Sequence, residues 1–273
     1  MKQLFPIRFD GYMLNGGSTK PWRVVAIEKD SLVEVPYVVK VFSPKHIEQG
    51  HNIGKEFVGN MLAGQFDLNV PEAGIINLHD ESFVSTLPDD LASILATKYE
   101  GLTFASKLTD GSIMNEHLRS SSYSIHDSAS LFAFDCLIHN IDRGGYHNKP
   151  NLLVDDNGLI LIDHELTFNF IDSTDHKAFD KVVNHLDGNV WPDFYQKHFF
   201  YNHLKAYKGS KKALFDTFEE SLRTLDIVKM QNFINDLTKM SVELGESDLV
   251  IKYLCTLKQN AHKFRSILLG LIS

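Results

Sequence analysis

The chain has 273 residues, 43% hydrophobic and 23% charged, the balance of a globular protein with a sizeable core and not of a disordered one. Its 27 Lys and Arg against 35 Asp and Glu leave a net charge of −8, which disfavours binding driven by nucleic-acid phosphates. Cys136 and Cys255, the two cysteines, sit in apolar runs and read as small buried hydrophobes of a reducing compartment.

The first residues contain no apolar stretch of signal-peptide length, so a cytoplasmic location is expected. Up to residue 100 the texture is that of short strands. Runs at 23–28, 33–42, 73–78, 82–87 and 94–100 carry β-branched and aromatic residues and are punctuated by Gly, Pro, Asp and Asn. Beside the first of these runs lies Asn15-Gly16-Gly17-Ser18-Thr19-Lys20. Two glycines let backbone N–H groups approach phosphates and the hydroxyls add donors, although most such stretches are simple turns. Lys40 closes the apolar run Tyr37-Val38-Val39, either as an edge-strand lysine or with its ammonium at the end of a buried run. A helix follows, with Asn52 as N-cap and Ile53, Phe57, Met61 and Leu62 at helical spacing. Glu56 lies on it, on a solvated face or paired with Lys40. A lysine held by a helix glutamate is what binding of ATP phosphates requires. The order strand, strand, helix, strand, strand describes a small antiparallel sheet with a helix on one face. Gly101 and Gly111 bracket a connecting segment, and the boundary between two lobes is expected at 100–110.

Residues 115–273 are mostly helical in pattern. Asp127 is placed to cap a helix whose apolar face is Leu131, Phe134, Leu137 and Ile138. It runs into the most informative stretch, residues 139–165. Leu152-Leu153-Val154 and residues 159–162 read as two strands joined by the turn Asp155-Asp156-Asn157-Gly158. Whether that turn centres on Asn157-Gly158 or on Asp156-Asn157, Asn151 falls beside Asp163 at the open end of the hairpin. Two oxygen-bearing side chains there suit a hard divalent cation such as Mg²⁺. Asp142 leaves the preceding helix and enters a loop with Gly144, Gly145 and Asn148, where a carboxylate can accept a proton from an attacking hydroxyl. Base, asparagine and aspartate occur in the order used for phosphoryl transfer. Singly they read as a turn cap, a strand start and a surface acid; on one hairpin they point to a site.

Two apolar stripes close the chain, one at Ile227, Met230, Phe233, Ile234, Leu237 and Met240, the other at Leu257, Ala261, Phe264, Leu268 and Leu271. Both read as core packing. The apolar run 267–272 is far too short to cross a bilayer, so no membrane association is expected. His139, His147 and His164 flank the acidic stretch, but no HExxH, GxSxG or GxxxxGK motif occurs, which disfavours zinc-hydrolase, serine-hydrolase and P-loop chemistry.

The succession GGS, YVVK, a helix glutamate, LNVPEAGII, FDCLIHNIDR, NKPNLLV and LILIDHE resembles the HipA-like protein kinases, in particular the compact HipA-like kinase domain that stands alone. The resemblance covers residues 14–170 and is most specific over 134–164. It implies an α+β, two-lobed protein-kinase-like fold. Residues 1–103 would form a small antiparallel sheet lobe with one helix, and residues 104–273 a larger, mainly helical lobe with the catalytic loop and the metal-binding hairpin. It implies ATP- and Mg²⁺-dependent transfer of a γ-phosphoryl group to a hydroxyl, on a protein Ser or Thr. Lys40 resembles the ATP-phosphate lysine, Glu56 its helix partner, Asp142 the catalytic base and Asp163 the metal-binding aspartate. Gly16, Gly17 and Ser18 resemble the nucleotide-covering loop, and Phe104-Ala105-Ser106-Lys107 the hinge whose backbone bonds adenine.

Two departures from the family pattern matter. GGYHNK intervenes between Asp142-Arg143 and the hairpin, so Asn148 and Asn151 are both candidates for the metal-ligating asparagine. Spacing from Asp142 favours the first and the hairpin favours the second. His164 and Glu165 follow Asp163 in place of Phe and Gly, so a pivoting activation segment is not expected. Ser18 corresponds to the serine that some relatives phosphorylate on themselves. The resemblance further implies a protein substrate and admits an antitoxin or regulatory partner. A small-molecule kinase on the same fold and an inactive nucleotide-binding module, the latter suggested by the lengthened loop, are the alternatives. Residues 175–273 have no counterpart in the resemblance and are expected to complete the helical lobe.

Overall fold

The computed structural model describes residues 1–12, 20–29, 31–115, 123–144, 149–172 and 177–273. The chain mixes helices and sheets and divides into two compact units. The first comprises Met1–Phe57, Pro71–Asp110 and Asn235–Leu244; the second comprises Val58–Val70, Gly111–Ile234 and Gly245–Ser273. Neither unit is one continuous stretch, unlike the pieces that a single cut at 103/104 would leave.

The strands of the first unit are β1 (Lys2–Tyr12), β2 (Trp22–Glu28), β3 (Glu34–Val39), β4 (Ala73–Ile76) and β5 (Thr103–Lys107). They pair in the order β1-β2-β3-β5-β4 and close into a barrel. All ladders are antiparallel except the closing one, where β1 and β4 run parallel from Lys2↔Gly74 to Leu4↔Ile76. This corrects the expected small antiparallel sheet, whose runs had no counterpart of β1. Pro6 and Gly11 break the alternation of that segment, and the ladder absorbs them at register shifts between Pro6 and Arg8 and between Phe9 and Gly11.

Two helices, α1 (Pro44–Gly50) and α2 (Asn52–Gln65), lie between β3 and β4 in the chain. The second is the expected helix, with Asn52 as its first residue and not its cap. The strands expected at 82–87 and 94–100 are not formed. Instead the chain makes α3 (Glu81–Val84) and α4 (Asp89–Leu95). Asp80 caps α3, its side chain accepting from Ser82 N–H at 3.0 Å and Phe83 N–H at 3.3 Å, while Pro88, Asp89 and Asp90 begin α4. Phe83, Leu87, Leu91 and Leu95 recur every fourth residue and bury with Leu4, Trp22, Tyr37 and Ile76 in one core. Helix-start chemistry and a four-residue apolar period outweigh local β composition here.

In the second unit β6 (Ser112–Ile113), β7 (Leu152–Asp155) and β8 (Gly158–Leu161) form a three-stranded antiparallel sheet. The β7–β8 ladder runs from Leu152↔Leu161 to Asp155↔Gly158, so Asp156-Asn157 is the turn. The long helix α5 (Ile125–Leu137) is capped by Ser124, not Asp127. Asp127 is the other half of a capping box: its N–H donates to Ser124 Oγ at 3.1 Å, and its Oδ2 accepts from Ser124 N–H at 2.6 Å. Helices α6 (Ala178–Asp187), α7 (Tyr201–Ala206), α8 (Asp216–Thr224), α9 (Ile227–Lys239), α10 (Ser247–Gln259) and α11 (Ala261–Leu271) complete the chain. Met230, Ile234 and Leu237 of the first apolar stripe are buried on α9. The second stripe is split between α10 and α11, because Asn260 ends one helix and begins the next. Among the described residues no helix is long and apolar enough to cross a membrane.

Candidate active site

Lys40 follows β3 at the point where Val39 pairs with Trp22 on one side and Ala105 on the other. Its side chain therefore leaves the interior of a barrel wall and not a sheet edge, and it is 13% exposed. Helix α2 brings Glu56, 1% exposed, into a direct ion pair with Lys40 Nζ. A carboxylate so buried depends on its cation, and removing one partner of such a pair costs about 3–5 kcal/mol.

The second group of residues grows from the end of α5. That helix is buried from Ser128 to Leu137 except at Ser130, and the carbonyls at its end have partners. Trp191 Nε1–H donates to Cys136 O at 3.2 Å, Tyr253 O–H to Leu137 O at 2.7 Å, and Phe168 N–H to Ile138 O at 2.8 Å. His139 then leaves the helix in a left-handed conformation, φ 53°, its ring set among those of Phe170, Trp191, Phe194 and Tyr253. Asp142 N–H donates to Asn140 Oδ1 at 3.1 Å, and Asp142 Oδ2 accepts from Asn151 Nδ2–H at 2.9 Å. This bond joins the expected base to one of the two candidate asparagines. Gly144, φ 92°, donates its N–H to both Asp142 O and Lys149 O at 2.8 Å; a Cβ there would meet Phe199 N at 2.9 Å, so the tight loop requires glycine.

Asn151 and Asp163 flank the open end of the β7–β8 hairpin, where Ile162 N–H donates to Asn151 O at 3.2 Å. Both adopt left-handed backbone, φ 47° and 67°. Asn and Asp are the non-glycine residues that tolerate this region best. With Nδ2 given to Asp142, the Asn151 amide has its oxygen left to offer a cation. An amide oxygen and a carboxylate suit a hard divalent ion such as Mg²⁺, and these two residues would hold it.

A buried network organises this hairpin. Arg143, 1% exposed, points its Nη1 at two carbonyls, bonding directly to Asn151 O and, at 2.8 Å, to Ile162 O. Behind it lies Asp135, fully buried on α5, which accepts from Arg143 Nε at 2.9 Å and Nη2 at 3.3 Å. Asn140 Nδ2 donates to Asp135 Oδ1 and His198 Nε2 to Asp135 Oδ2, each at 2.9 Å. His198 Nδ1 accepts from Phe200 N–H at 3.1 Å, which fixes the ring proton on Nε2. Burial, the largest single influence, would raise the Asp135 carboxyl, but the Arg143 charge and the hydrogen bonds from His198 and Arg143 together outweigh it and hold the group well below the usual carboxylate range. Burial pushes His198 down despite the pull of Asp135, so the ring is neutral at pH 7.

The structure thus brings Lys40 to Glu56, Asp142 to Asn151, and Asn151 and Asp163 to one hairpin end. Gly16, Gly17, Ser18 and Asn148 lie outside the described residues. Phe104 and Ser106 are not in a connecting loop. They belong to β5, which pairs with β3 and β4 on its two sides, and the Phe104 ring packs edge-on against Phe57 at 4.9 Å. Leu108 N–H also donates back, to Pro36 O at 2.9 Å. The residues that sequence reasoning passed over are Asp135, Arg143 and His198. An acid inside the apolar run from Leu131 to Leu137 was a usable signal for Asp135; nothing local marks His198.

An acid bonded to an asparagine, a second acid at a hairpin end and a buried lysine–glutamate pair are each residue types that phosphoryl transfer employs. The family model described as HipA-like kinase matches residues 14–246, and the chain belongs to that family. Among solved structures, the Helicobacter pylori proinflammatory kinase CtkA is similar at 12% identity and a TM-score of 0.49, over 96% of this chain and 92% of that one. Comparison with curated proteins yields no match.

Proposed function

We propose that this chain transfers the γ-phosphoryl group of ATP, taken as its magnesium complex, to the hydroxyl of a protein serine or threonine. The observation that carries the reading is the Asp142–Asn151 hydrogen bond at the end of the hairpin that bears Asp163. With Oδ2 tied to Asn151, the Asp142 carboxylate keeps a fixed orientation from which it can act as base toward the acceptor hydroxyl. As the acceptor oxygen bonds to the γ-phosphorus, its proton passes to Asp142 and the bond to the β–γ bridging oxygen breaks, releasing ADP. Asn151 and Asp163 would hold the cation, which when bound would neutralise phosphate charge. Lys40, oriented by Glu56, adds positive charge for the phosphates.

The barrel unit and the helical unit are read as the two lobes of a protein-kinase-like fold. Because β5 is engaged on both sides, the adenine contact is assigned to the backbone just after it, at Thr109 and Asp110, and not to 104–107. The lengthened loop after Arg143 does not deprive Asp142 of an asparagine, which supports a competent site over an inactive module. Two cysteines without a disulfide fit a cytoplasmic setting.

The test is transfer of labelled γ-phosphate to a mixed protein acceptor, with thermal shift by Mg-ATP read in parallel. Asp142→Asn is expected to abolish transfer and retain the thermal shift. Transfer at the wild-type rate by Asp142→Asn would remove the base from the mechanism.

A further inference from the structure

Arg143 connects the interior of the second unit to the hairpin end. Its Nη1 reaches the carbonyls of Asn151 and of Ile162, the residue before Asp163. A guanidinium offers its donors in one rigid plane, so the orientation of that plane decides where both carbonyls sit. Asp135 sets the plane from behind with two hydrogen bonds. Each Asp135 oxygen is held in turn, Oδ1 by Asn140 and Oδ2 by His198. Phe200 N–H aims the His198 ring, and the neighbouring Phe199 N–H donates to Arg143 O at 2.9 Å. The segment at 198–200 therefore grips Arg143 through both its side-chain partner and its backbone. A buried ion pair is a poor source of net stability compared with apolar packing. What apolar residues could not supply is a planar clamp on two carbonyls.

Resting on the phosphoryl-transfer reading above, we infer that Asp135 and His198 are positioning residues: through Arg143 they hold Asn151 and Asp163 in left-handed backbone and so set the Asn151 amide against Asp142. Neither touches the reacting atoms.

Two variants separate this role from bulk packing. His198→Phe keeps an aromatic ring of similar size and removes both hydrogen bonds, whereas His198→Gln retains an amide that can donate to Asp135. With Mg-ATP and a protein acceptor, His198→Phe is expected to lose on the order of 10- to 100-fold in kcat. Its KM for ATP should stay within about threefold of wild type, with His198→Gln recovering most of the loss. Amide hydrogen exchange gives a readout independent of turnover. The N–H groups of Asp142 and Ile162, which bond to Asn140 and Asn151, should exchange faster in His198→Phe and recover in His198→Gln, while barrel amides of the first unit stay unchanged. Wild-type kcat with wild-type exchange in His198→Phe overturns the inference. So does faster exchange at every amide of the second unit, which marks a general loss of structure. A wild-type protein that transfers no phosphate, yet whose exchange responds as stated, overturns the phosphoryl-transfer reading and leaves the positioning of Asn151 by His198 standing.

Discussion

Asn151 does two separable things, since its backbone occupies a left-handed conformation and its side chain bonds to Asp142. Glycine accepts that backbone without a side chain; alanine supplies neither the amide nor the conformational tolerance. At a right-handed position Ala is the more stable of the two by roughly 0.5–1 kcal/mol. At 151 that order is expected to vanish or reverse, with Asn151→Gly at least as stable as Asn151→Ala in urea unfolding, and turnover lost in both. A clear advantage for Ala would show that φ at 151 is not held positive in solution. Asp163→Ala belongs to the same test. It removes the proposed cation ligand, so both turnover and the thermal shift by Mg-ATP should be lost, in contrast to Asp142→Asn, which should keep the shift. Asp142, Asn151 and Asp163 were legible from sequence because oxygen-bearing side chains stand out against an apolar hairpin. The Lys40–Glu56 pair was legible because Lys40 directly follows a strand, and Glu56 lies on a helix, each with a clear period. His198 was not, because its partner Asp135 lies 63 positions away and the contact exists only once the helices have packed.

At the scale of elements, α2 shows why a glycine in a helix needs its surroundings before it can be interpreted. Gly59 faces His164 so closely that a Cβ there would lie 2.5 Å from the His164 Cβ, whereas a Cβ on Gly64 would meet nothing within 4 Å. Helix propensity favours alanine over glycine by up to about 1 kcal/mol at both positions. At Gly64 that gain is unopposed, and Gly64→Ala should raise stability by roughly 0.5–1 kcal/mol. At Gly59 the overlap wins, and Gly59→Ala should lower stability by about 1–3 kcal/mol. His164 adjoins Asp163, so Gly59→Ala should also reduce turnover. The pair is decided by comparing urea midpoints; equal stabilisation in both would refute the close packing at Gly59. The same dependence on surroundings explains which elements the sequence disclosed. β2, β3, β4, α2, α5 and the β7–β8 hairpin have local patterns that match their burial. β1 was hidden because Pro6 and Gly11 read as breakers until the barrel closes around them. The segment at 81–95 looked like strands because its residue types are mixed, and only its four-residue apolar period matches the helices it forms.

For the molecule as a whole, three buried titratable groups predict how stability responds to acid. His139 is lowered from 6.5 to about 3, chiefly by burial and secondarily by His185, and among the described residues its Nε2 has no hydrogen-bond partner. A proton there would leave a charge enclosed by aromatic rings. His198 is lowered in the same direction by burial, and Asp135 is held low by Arg143 despite its burial. All three have folded values below their unfolded ones, so the sign is common: the unfolded chain takes up protons that the folded chain refuses. The His139 contribution is complete above pH 6.5 and declines as pH falls toward 3, and the His198 contribution likewise declines below pH 6.5; the Asp135 contribution is complete above about pH 3.8 and is lost below it. Each histidine can remove about 1.4 kcal/mol per pH unit within its window. Unfolding free energy should therefore be flat near neutrality, fall from about pH 6.5, and steepen again below about pH 4. His139→Asn tolerates the left-handed backbone and removes one of these groups. It should be less stable than wild type at neutral pH, having lost its ring contacts, yet show the shallower slope between about pH 6 and pH 4.5. Urea titrations at stepped pH check this. An unchanged slope in His139→Asn would mean that acid enters the second unit by some route other than its buried histidines.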